Sequence, residues 1–241
     1  PAWLPERRGA DVAARDPDIV NLHWVAGGFL HPDTISTFDK PVVWTLHDMW
    51  PFTGGCHYAK FCQKYEDECG ACPHLGSDST EDISRSTWLR KQAAWEDHTF
   101  TVVAPSRWLA SCAEASSLLS GETVKVIPNG LDVSSFKPQP ATTVRSQLGL
   151  DSDANLICFG ADWSTPRKGM DLLYDALSHL ENTTESIQVV VFGHTDSDSA
   201  PEVNIPISYL GFVDEDTLRE LYSAADLMVV PSRQEAFGQT A

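Results

Sequence analysis

The sequence has few basic residues. Its 241 residues include 17 Lys and Arg against 34 Asp and Glu, which gives a formal net charge of −17. After residue 136 only six cations remain, against sixteen acidic residues. A surface of this charge repels nucleic acid and anionic lipid headgroups, so the composition argues against a nucleic-acid-binding protein. An anionic ligand therefore requires a local cluster of cations.

Long apolar runs are also missing. No stretch of about 18 apolar residues occurs, so the sequence predicts no membrane-spanning helix. No charged segment followed by an apolar stretch opens the chain, and a secretory signal is therefore not visible. The chain begins at Pro1 rather than Met. We expect it to be an internal piece of a longer protein, with both of its domains incomplete.

Short apolar runs alternate with helix-like segments. Strands are predicted over residues 18–24, 42–48, 99–106, 123–130, 155–161, 187–193, 207–213 and 227–232. Helices are predicted over residues 82–97, 106–116, 169–180 and 214–226. Nearly continuous apolar strands that alternate with helices indicate parallel sheets covered on both faces. The predicted fold class is α/β, with two doubly wound, Rossmann-like domains.

The two predicted domains comprise residues 1–136 and 137–241. A stretch rich in Pro, Ser and Thr, residues 134–144, is the best linker candidate, and we expect the junction near residues 134–150. In doubly wound sheets ligands bind beyond the carboxyl ends of the strands. The residues that directly follow each strand are therefore the candidates for function.

One candidate site follows the strand that ends at Gly160. A polar loop leads to Arg167, Lys168 and Gly169, which open a predicted helix. Cations beside the free N–H groups of a helix start favour a phosphate or diphosphate ligand. The alternative is that Arg167 and Lys168 are two ordinary surface cations.

The last strand leads into a second candidate segment. Glu235 and the backbone at Phe237 and Gly238 are placed to contact a ligand, because glycine allows close backbone approach and a carboxylate accepts hydrogen bonds from hydroxyls. The alternative is a plain helix start, since Ser232 and Glu235 have the spacing of a capping box.

Five segments together resemble glycosyltransferase family 4, a large group of retaining enzymes with the GT-B architecture. In chain order they are TLHDMWPF, VVAPSRWLA, VIPNGLDVSSFKP, RKGMDLLYDAL and the final block from YLGFVDED to the end. Each segment alone is weak evidence for the resemblance, but the five segments in this order are specific for the family. The cysteine-bearing segment after HDMWPF resembles a bacterial branch that builds surface polysaccharides.

The resemblance implies a sugar transfer from a nucleotide diphosphate sugar to a saccharide or lipid-linked acceptor. It implies that Lys168 contacts the donor diphosphate and that Glu235, the first glutamate of an E-x7-E motif, lies against the transferred sugar. The second glutamate of that motif falls beyond this chain. The family usually has an arginine where this sequence has Ala161, and Arg167 is the candidate for the second cation. No catalytic metal is expected.

His47 lies at the carboxyl end of the second predicted strand of the first domain. The resemblance implies that it faces the donor sugar, whereas the alternative is a histidine that satisfies the loop backbone. We expect Asp48 to be structural. The acceptor side of the enzyme is assigned to this first domain.

Four cysteines occur in the long loop at residues 53–76. They are Cys56, Cys62, Cys69 and Cys72, and the Cys-x2-Cys half has the spacing of a zinc knuckle. We predict a structural zinc ion held by the four thiolates, with free thiols and disulfides as the alternatives.

Two other functions remain open at this point. A nucleotide-sugar epimerase of the same architecture would turn over the donor without an acceptor. A non-catalytic, zinc-stabilised interaction module would bind no nucleotide. The resemblance implies a cytoplasmic enzyme, with at most peripheral contact at the inner face of the membrane.

Overall fold

A computed structural model describes residues 8–160, 165–180, 183–193 and 201–240. The chain divides into two compact units, residues 1–129 (unit 1) and 130–241 (unit 2). The sequence had placed the boundary between residues 136 and 137. Ala161, where the family usually has arginine, lies outside the described residues.

Unit 1 is built on a four-stranded parallel sheet in the order β1-β2-β3-β4. Its strands are β1 (Val20–Leu22), β2 (Val42–Thr45), β3 (Phe100–Ala104) and β4 (Thr123–Val126). Its helices are α1 (Arg8–Arg15), α2 (Pro32–Ile35), α3 (Ile83–Trp95) and α4 (Arg107–Ala115). Short 3-10 turns occur at Trp50–Phe52, Lys64–Glu66 and Pro73–Leu75.

Side-chain caps fix where the two longer helices of unit 1 begin. The carboxylate of Asp82 accepts hydrogen bonds from the backbone N–H groups of Ser84 and Arg85 at the start of α3. The Ser106 hydroxyl accepts one from the N–H of Leu109, as the sequence predicted for α4. Each cap satisfies donors that the helix itself leaves without a partner.

Unit 2 contains a second parallel sheet in the order β7-β6-β5-β8. Its strands are β5 (Asn155–Gly160), β6 (Ile187–Phe192), β7 (Ile207–Gly211) and β8 (Leu227–Val229). Its helices are α5 (Ala141–Leu148), α6 (Met170–Leu180) and α7 (Glu215–Ala224). The strand order reverses between β5 and β8, and such a reversal opens a crevice at the carboxyl ends of these strands.

Helices cover both faces of this second sheet. Val189 and Val191 of β6 pack with Leu177 of α6 on one face. Val190, which points to the opposite face, packs with Leu221 of α7. Full burial of such side chains contributes about 1.5–3 kcal/mol each, and this explains the continuous apolar runs at residues 156–159 of β5 and 189–192 of β6.

The predicted linker is partly wrong. Residues 141–148 form α5 rather than irregular chain. Pro140 occupies the N-cap position, and Gly149 ends the helix in the left-handed conformation. A proline before a helix and a glycine after it are typical boundary signals, which the high Pro, Ser and Thr content obscured.

A buried lysine connects α3 to the loop after β2. Lys91 is fully buried, and its ammonium group donates hydrogen bonds to the carbonyl oxygens of Trp50 and Thr53, the latter at 3.0 Å. It also lies 3.8 Å from the centre of the Trp50 ring. Burial lowers the pKa of Lys91 to about 7, whereas the ring and the carbonyl acceptors favour the charged form. Lys91 therefore anchors the start of the cysteine-bearing loop.

We expect Lys91→Met to lower the free energy of unfolding by about 2–4 kcal/mol, because it removes the donor that both buried carbonyls use. Urea denaturation measures the change. Lys125→Met is the matched control, since Lys125 is exposed on β4, and it should cost less than about 0.5 kcal/mol. Equal stability of the two variants would contradict the anchoring role.

Candidate functional site

Two loops meet at the carboxyl edge of the unit 2 sheet. Lys168 and Glu235 form an ion pair with 2.6 Å between Nζ and Oε1. Arg167 contacts the other carboxylate oxygen of Glu235 at 3.1 Å. The Ser232 hydroxyl donates to Oε1 at 2.8 Å. The structure therefore brings together three of the residues that the sequence selected, from loops about 67 residues apart in the chain.

The helix start that the sequence allowed at Ser232 is not present within residues 201–240. Ser232 instead uses its hydroxyl to contact the carboxylate of Glu235 directly. Burial opposes the ionisation of Glu235, but hydrogen bonds from Lys168 and Ser232 and the charges of Lys168 and Arg167 outweigh it, so its pKa is lowered. Glu235 is therefore an anion held between two cations.

Further contacts tie the two loops along their backbones. The N–H of Arg233 donates to the carbonyl of Arg167 at 2.8 Å, and the Arg167 guanidinium donates to the carbonyl of Gln234 at 2.7 Å. The Arg233 guanidinium also pairs with both carboxylate oxygens of Asp171 at the start of α6. The cations at this edge thus have fixed positions before any ligand arrives.

Gly169 allows the two loops to approach this closely. Its φ angle is +75°, and a Cβ atom at this position would lie 2.2 Å from the carbonyl oxygen of Pro231. Only glycine adopts the left-handed conformation without cost and leaves room for the neighbouring backbone. The backbone conformation and the close approach of Pro231 therefore require a glycine at this position of the RKG segment.

The remaining donor-site predictions lie at the same edge. Gly160 ends β5, and a Cβ there would lie 2.4 Å from the ring of Phe192. Phe237 is partly exposed, and Gly238 has a φ angle of +72°. Their roles toward a ligand stay predictions.

His47 lies at the carboxyl edge of the unit 1 sheet, just beyond β2. Its Nε2 is 3.0 Å from Nδ1 of His23, and the two rings are stacked with centroids 5.3 Å apart. Burial, and then the charge of a protonated His23, lower the pKa of His47, while Asp48 acts in the opposite direction. At neutral pH the His47 imidazole is therefore uncharged.

His23 was missed from the sequence. It directly follows β1 in the segment NLHW, and β1 and β2 are parallel neighbours with Leu22 opposite Trp44. Two histidines that follow adjacent parallel strands reach the same edge. The strand-end position of His23 was thus the available signal, but the pairing of β1 with β2 was needed to use it.

Asp48 has a structural role. Its carboxylate accepts hydrogen bonds from the Trp24 indole at 2.9 Å and from the backbone N–H of Trp50 at 2.8 Å. It also contacts Nδ1 of His57 at 2.7 Å. Asp48 is buried, and these contacts join the ends of β1 and β2 to the following loop.

The four loop cysteines are free thiols that line one cavity of about 330 Å³. Within the described ranges, no group of three or more His, Cys, Asp or Glu side chains is arranged to hold a metal ion. The zinc prediction from Cys56, Cys62, Cys69 and Cys72 therefore has no support in this geometry. The thiols surround a cavity instead of converging on one point, and Cys69 accepts a hydrogen bond from the N–H of Gly54.

Burial is the main cause that raises the pKa of two of the loop thiols, Cys69 and Cys56. It raises the pKa of Cys69 to about 11, and that of Cys56 is raised as well. Nearby thiols add to the shift in both cases. These two cysteines are therefore protonated at neutral pH and unreactive as nucleophiles.

No helix among the described residues is both long enough and apolar enough to cross a bilayer.

We expect Gly169→Ala to destabilise unit 2 more than Gly149→Ala. Both glycines have left-handed φ angles, but nothing lies within 4 Å of a Cβ at Gly149. Gly149→Ala should therefore cost about 1–2 kcal/mol from backbone strain alone. Gly169→Ala adds the clash with Pro231, which raises the cost by about 1–3 kcal/mol.

Urea unfolding of the two variants gives this difference directly, because the strain common to both cancels. Equal costs would mean that the loops are not held as closely as the structure has them.

Solved structures with a similar fold cover almost the whole chain. Sucrose-phosphate synthase from Thermosynechococcus elongatus matches with a TM-score of 0.67 and 18% identity, over 96% of this chain and 54% of that chain. Anabaena HepE in complex with UDP and glucose matches with a TM-score of 0.62 and 18% identity, over 96% and 58%. The likeness confirms the predicted GT-B fold of two Rossmann-like units.

Curated relatives are also glycosyltransferases. A lipopolysaccharide 1,2-N-acetylglucosaminetransferase of Salmonella typhimurium is 28% identical over 156 residues, which are 58% of this chain and 40% of the relative. An uncharacterized glycosyltransferase of Methanocaldococcus jannaschii is 27% identical over 83% of this chain and 54% of the relative. A phosphatidyl-myo-inositol mannosyltransferase of Mycobacterium tuberculosis is 31% identical over 49% and 31%. The chain spans about half, or less, of the length of these relatives.

Two family models match successive parts of the chain. The family described as Glycosyl transferases group 1 matches residues 153–241. The family described as Glycosyltransferase Family 4 matches residues 2–135, which are more than half of the sequence. The chain therefore belongs to glycosyltransferase family 4.

Proposed function

We propose that the chain is the core of a retaining glycosyltransferase that uses a nucleotide diphosphate sugar. The observation that carries this proposal is the pair of cations, Arg167 and Lys168, held at the strand-order reversal of unit 2. In an otherwise acidic chain, this edge has the local positive charge that an anionic donor requires. Membership of the family supports the same conclusion.

The donor diphosphate is proposed to contact Lys168 and Arg167. Both side chains are partly buried, at 29% and 19% exposure, so their interaction with an anion is less screened than at an open surface. These two cations already stabilise one negative charge, the carboxylate of Glu235. Its carboxylate is proposed to turn toward hydroxyl groups of the donor sugar when the diphosphate takes over the cations.

Charge stabilisation explains how these residues act on the reaction. Cleavage of the bond between the sugar and the diphosphate develops negative charge on the leaving phosphate. Fixed cations stabilise this charge better in the transition state than in the ground state, and this difference lowers the barrier. The leaving phosphate is proposed to accept the proton of the acceptor hydroxyl on the same face of the sugar. Phe237 and Gly238 are proposed to line the donor site.

Unit 1 is proposed to serve the acceptor and to supply His47 toward the donor sugar. The names of the relatives include a transferase for lipopolysaccharide and one for phosphatidylinositol. We therefore propose a saccharide or lipid-linked acceptor, and an enzyme that works in the cytoplasm or at the inner face of the membrane.

UDP, GDP and ADP should be titrated calorimetrically into the chain. UDP is the first to test, because HepE was solved with UDP and with UDP-glucose. We expect one nucleotide to bind in the micromolar range. Lys168→Met should weaken this binding by about tenfold to a hundredfold, the value of one charge-assisted hydrogen bond.

Lys137→Met is the matched control, because Lys137 is an exposed lysine of the same unit. It should change the affinity less than about twofold. If none of the three nucleotides binds, a non-catalytic interaction module becomes the better description. If the chain binds the donor and changes the configuration of its sugar without an acceptor, an epimerase becomes the better description.

A further inference from the structure

Four polar side chains form a hydrogen-bonded row at the carboxyl edge of the unit 1 sheet. The Thr45 hydroxyl donates to Oδ1 of Asn21 at 3.3 Å, and Nδ2 of Asn21 lies 3.2 Å from Nε2 of His23. Nδ1 of His23 then lies 3.0 Å from Nε2 of His47. The row therefore runs from Thr45 of β2 to β1 and back to His47, two residues beyond β2.

The order of donors fixes where each imidazole carries its proton. The amide nitrogen of Asn21 is only a donor, so Nε2 of His23 accepts. A neutral His23 then has its proton on Nδ1, and it donates this proton to Nε2 of His47. Since Nε2 of His47 accepts, the proton of neutral His47 resides on Nδ1.

The neighbouring carboxylate of Asp48 does not set the tautomer of His47. Both oxygens of Asp48 already accept hydrogen bonds, from Trp24, His57 and the backbone of Trp50. The group in contact with the His47 ring is instead His23, which also stacks against it at an angle of 28° between the ring planes. The tautomer of His47 is therefore set by another histidine and not by an acid.

We propose that Asn21 and His23 are positioning residues that hold His47 as the neutral tautomer protonated on Nδ1. Under the proposed function, on which this role rests, His47 then offers one fixed N–H donor to an oxygen of the saccharide. The wrong tautomer would present a lone pair there and would fail to bind the same oxygen. A fixed donor also costs no reorganisation when the sugar binds.

Imidazole nitrogen spectra of the full chain test the proposal without any substrate. The histidines are labelled with ¹⁵N, and the His47 signals are assigned by their loss in His47→Gln. In the unsubstituted chain at pH 8 we expect Nδ1 of His47 to be the protonated nitrogen. In His23→Leu this preference should be lost, because no donor faces Nε2.

Two further variants separate positioning from general disturbance. His23→Gln keeps an amide N–H that can reach His47, so it should retain most of the Nδ1 preference. His98→Leu is the matched control, because His98 precedes β3 at the opposite edge of the sheet. It should leave the His47 signals unchanged.

The isosteric substitution Asn21→Asp should reverse the direction of the hydrogen bonds along the row. Asn21→Asp places a carboxylate, which only accepts, beside Nε2 of His23. At a pH where both imidazoles are neutral, His23 must then be protonated on Nε2 and accept on Nδ1. His47 should consequently change to the tautomer protonated on Nε2.

Titration of the same signals gives a second readout. Proximity to His23 contributes to the lowered pKa of His47, after burial, and Asp48 opposes it. His23→Leu should therefore raise the pKa of His47, and His98→Leu should not.

Protonation of His47 on Nε2 in the unsubstituted chain, or an unchanged tautomer in His23→Leu, would overturn the proposal. These spectra do not depend on a nucleotide. Failure of donor binding would therefore leave the tautomer result intact, and the two proposals can fail separately.

Discussion

The ionic contacts of Glu235 with Lys168 and Arg167 hold together two loops that follow different strands of the unit 2 sheet. The carboxylate has one oxygen for each cation, and the Ser232 hydroxyl adds a third contact. In a chain with a net charge of −17, these two cations keep their places because an anion lies between them. Recognition of a second anion at this edge is therefore an exchange of partners on prearranged cations, which needs less reorganisation than assembly of a new site.

The carboxyl edges of the two sheets carry different kinds of polar side chains. Unit 2 offers full charges, fixed by backbone contacts such as the close approach at Gly169. Unit 1 offers imidazole and amide groups, and the buried carboxylate of Asp48 accepts hydrogen bonds that join the following loop to the sheet. A leaving diphosphate needs cations, whereas sugar hydroxyl groups need oriented donors and acceptors. The carboxyl edges of the two sheets therefore differ in the ligand groups that each can contact.

The central strands of unit 2, β5 and β6, were predictable because they are buried on both faces of the sheet, which leaves apolar runs in the sequence. In β1, β2 and β3 of unit 1, buried residues alternate with exposed or partly buried ones. The predicted strands extended too far at their carboxyl ends, because apolar residues continue into the loops, as they do after β4 and β8. Lys168 and Glu235 could be selected because each follows a strand of unit 2. The contact between them could not be derived, because it depends on the pairing of β5 with β8, and strand pairing leaves no local pattern.

The same limit applies to two features of unit 1. His23 was overlooked because its partner is set by the register of β1 against β2. The cysteine spacing suggested zinc, but spacing constrains only how far the chain can reach and not where each thiol points. Cys69 and Ala71 have positive φ angles, so the backbone of the Cys-x2-Cys turn adopts a conformation that could not be predicted from its sequence. The thiols consequently line a cavity. A side-chain cluster in the sequence thus becomes a site only where the backbone directs its members to one point, as the loops of unit 2 direct Lys168, Arg167 and Glu235.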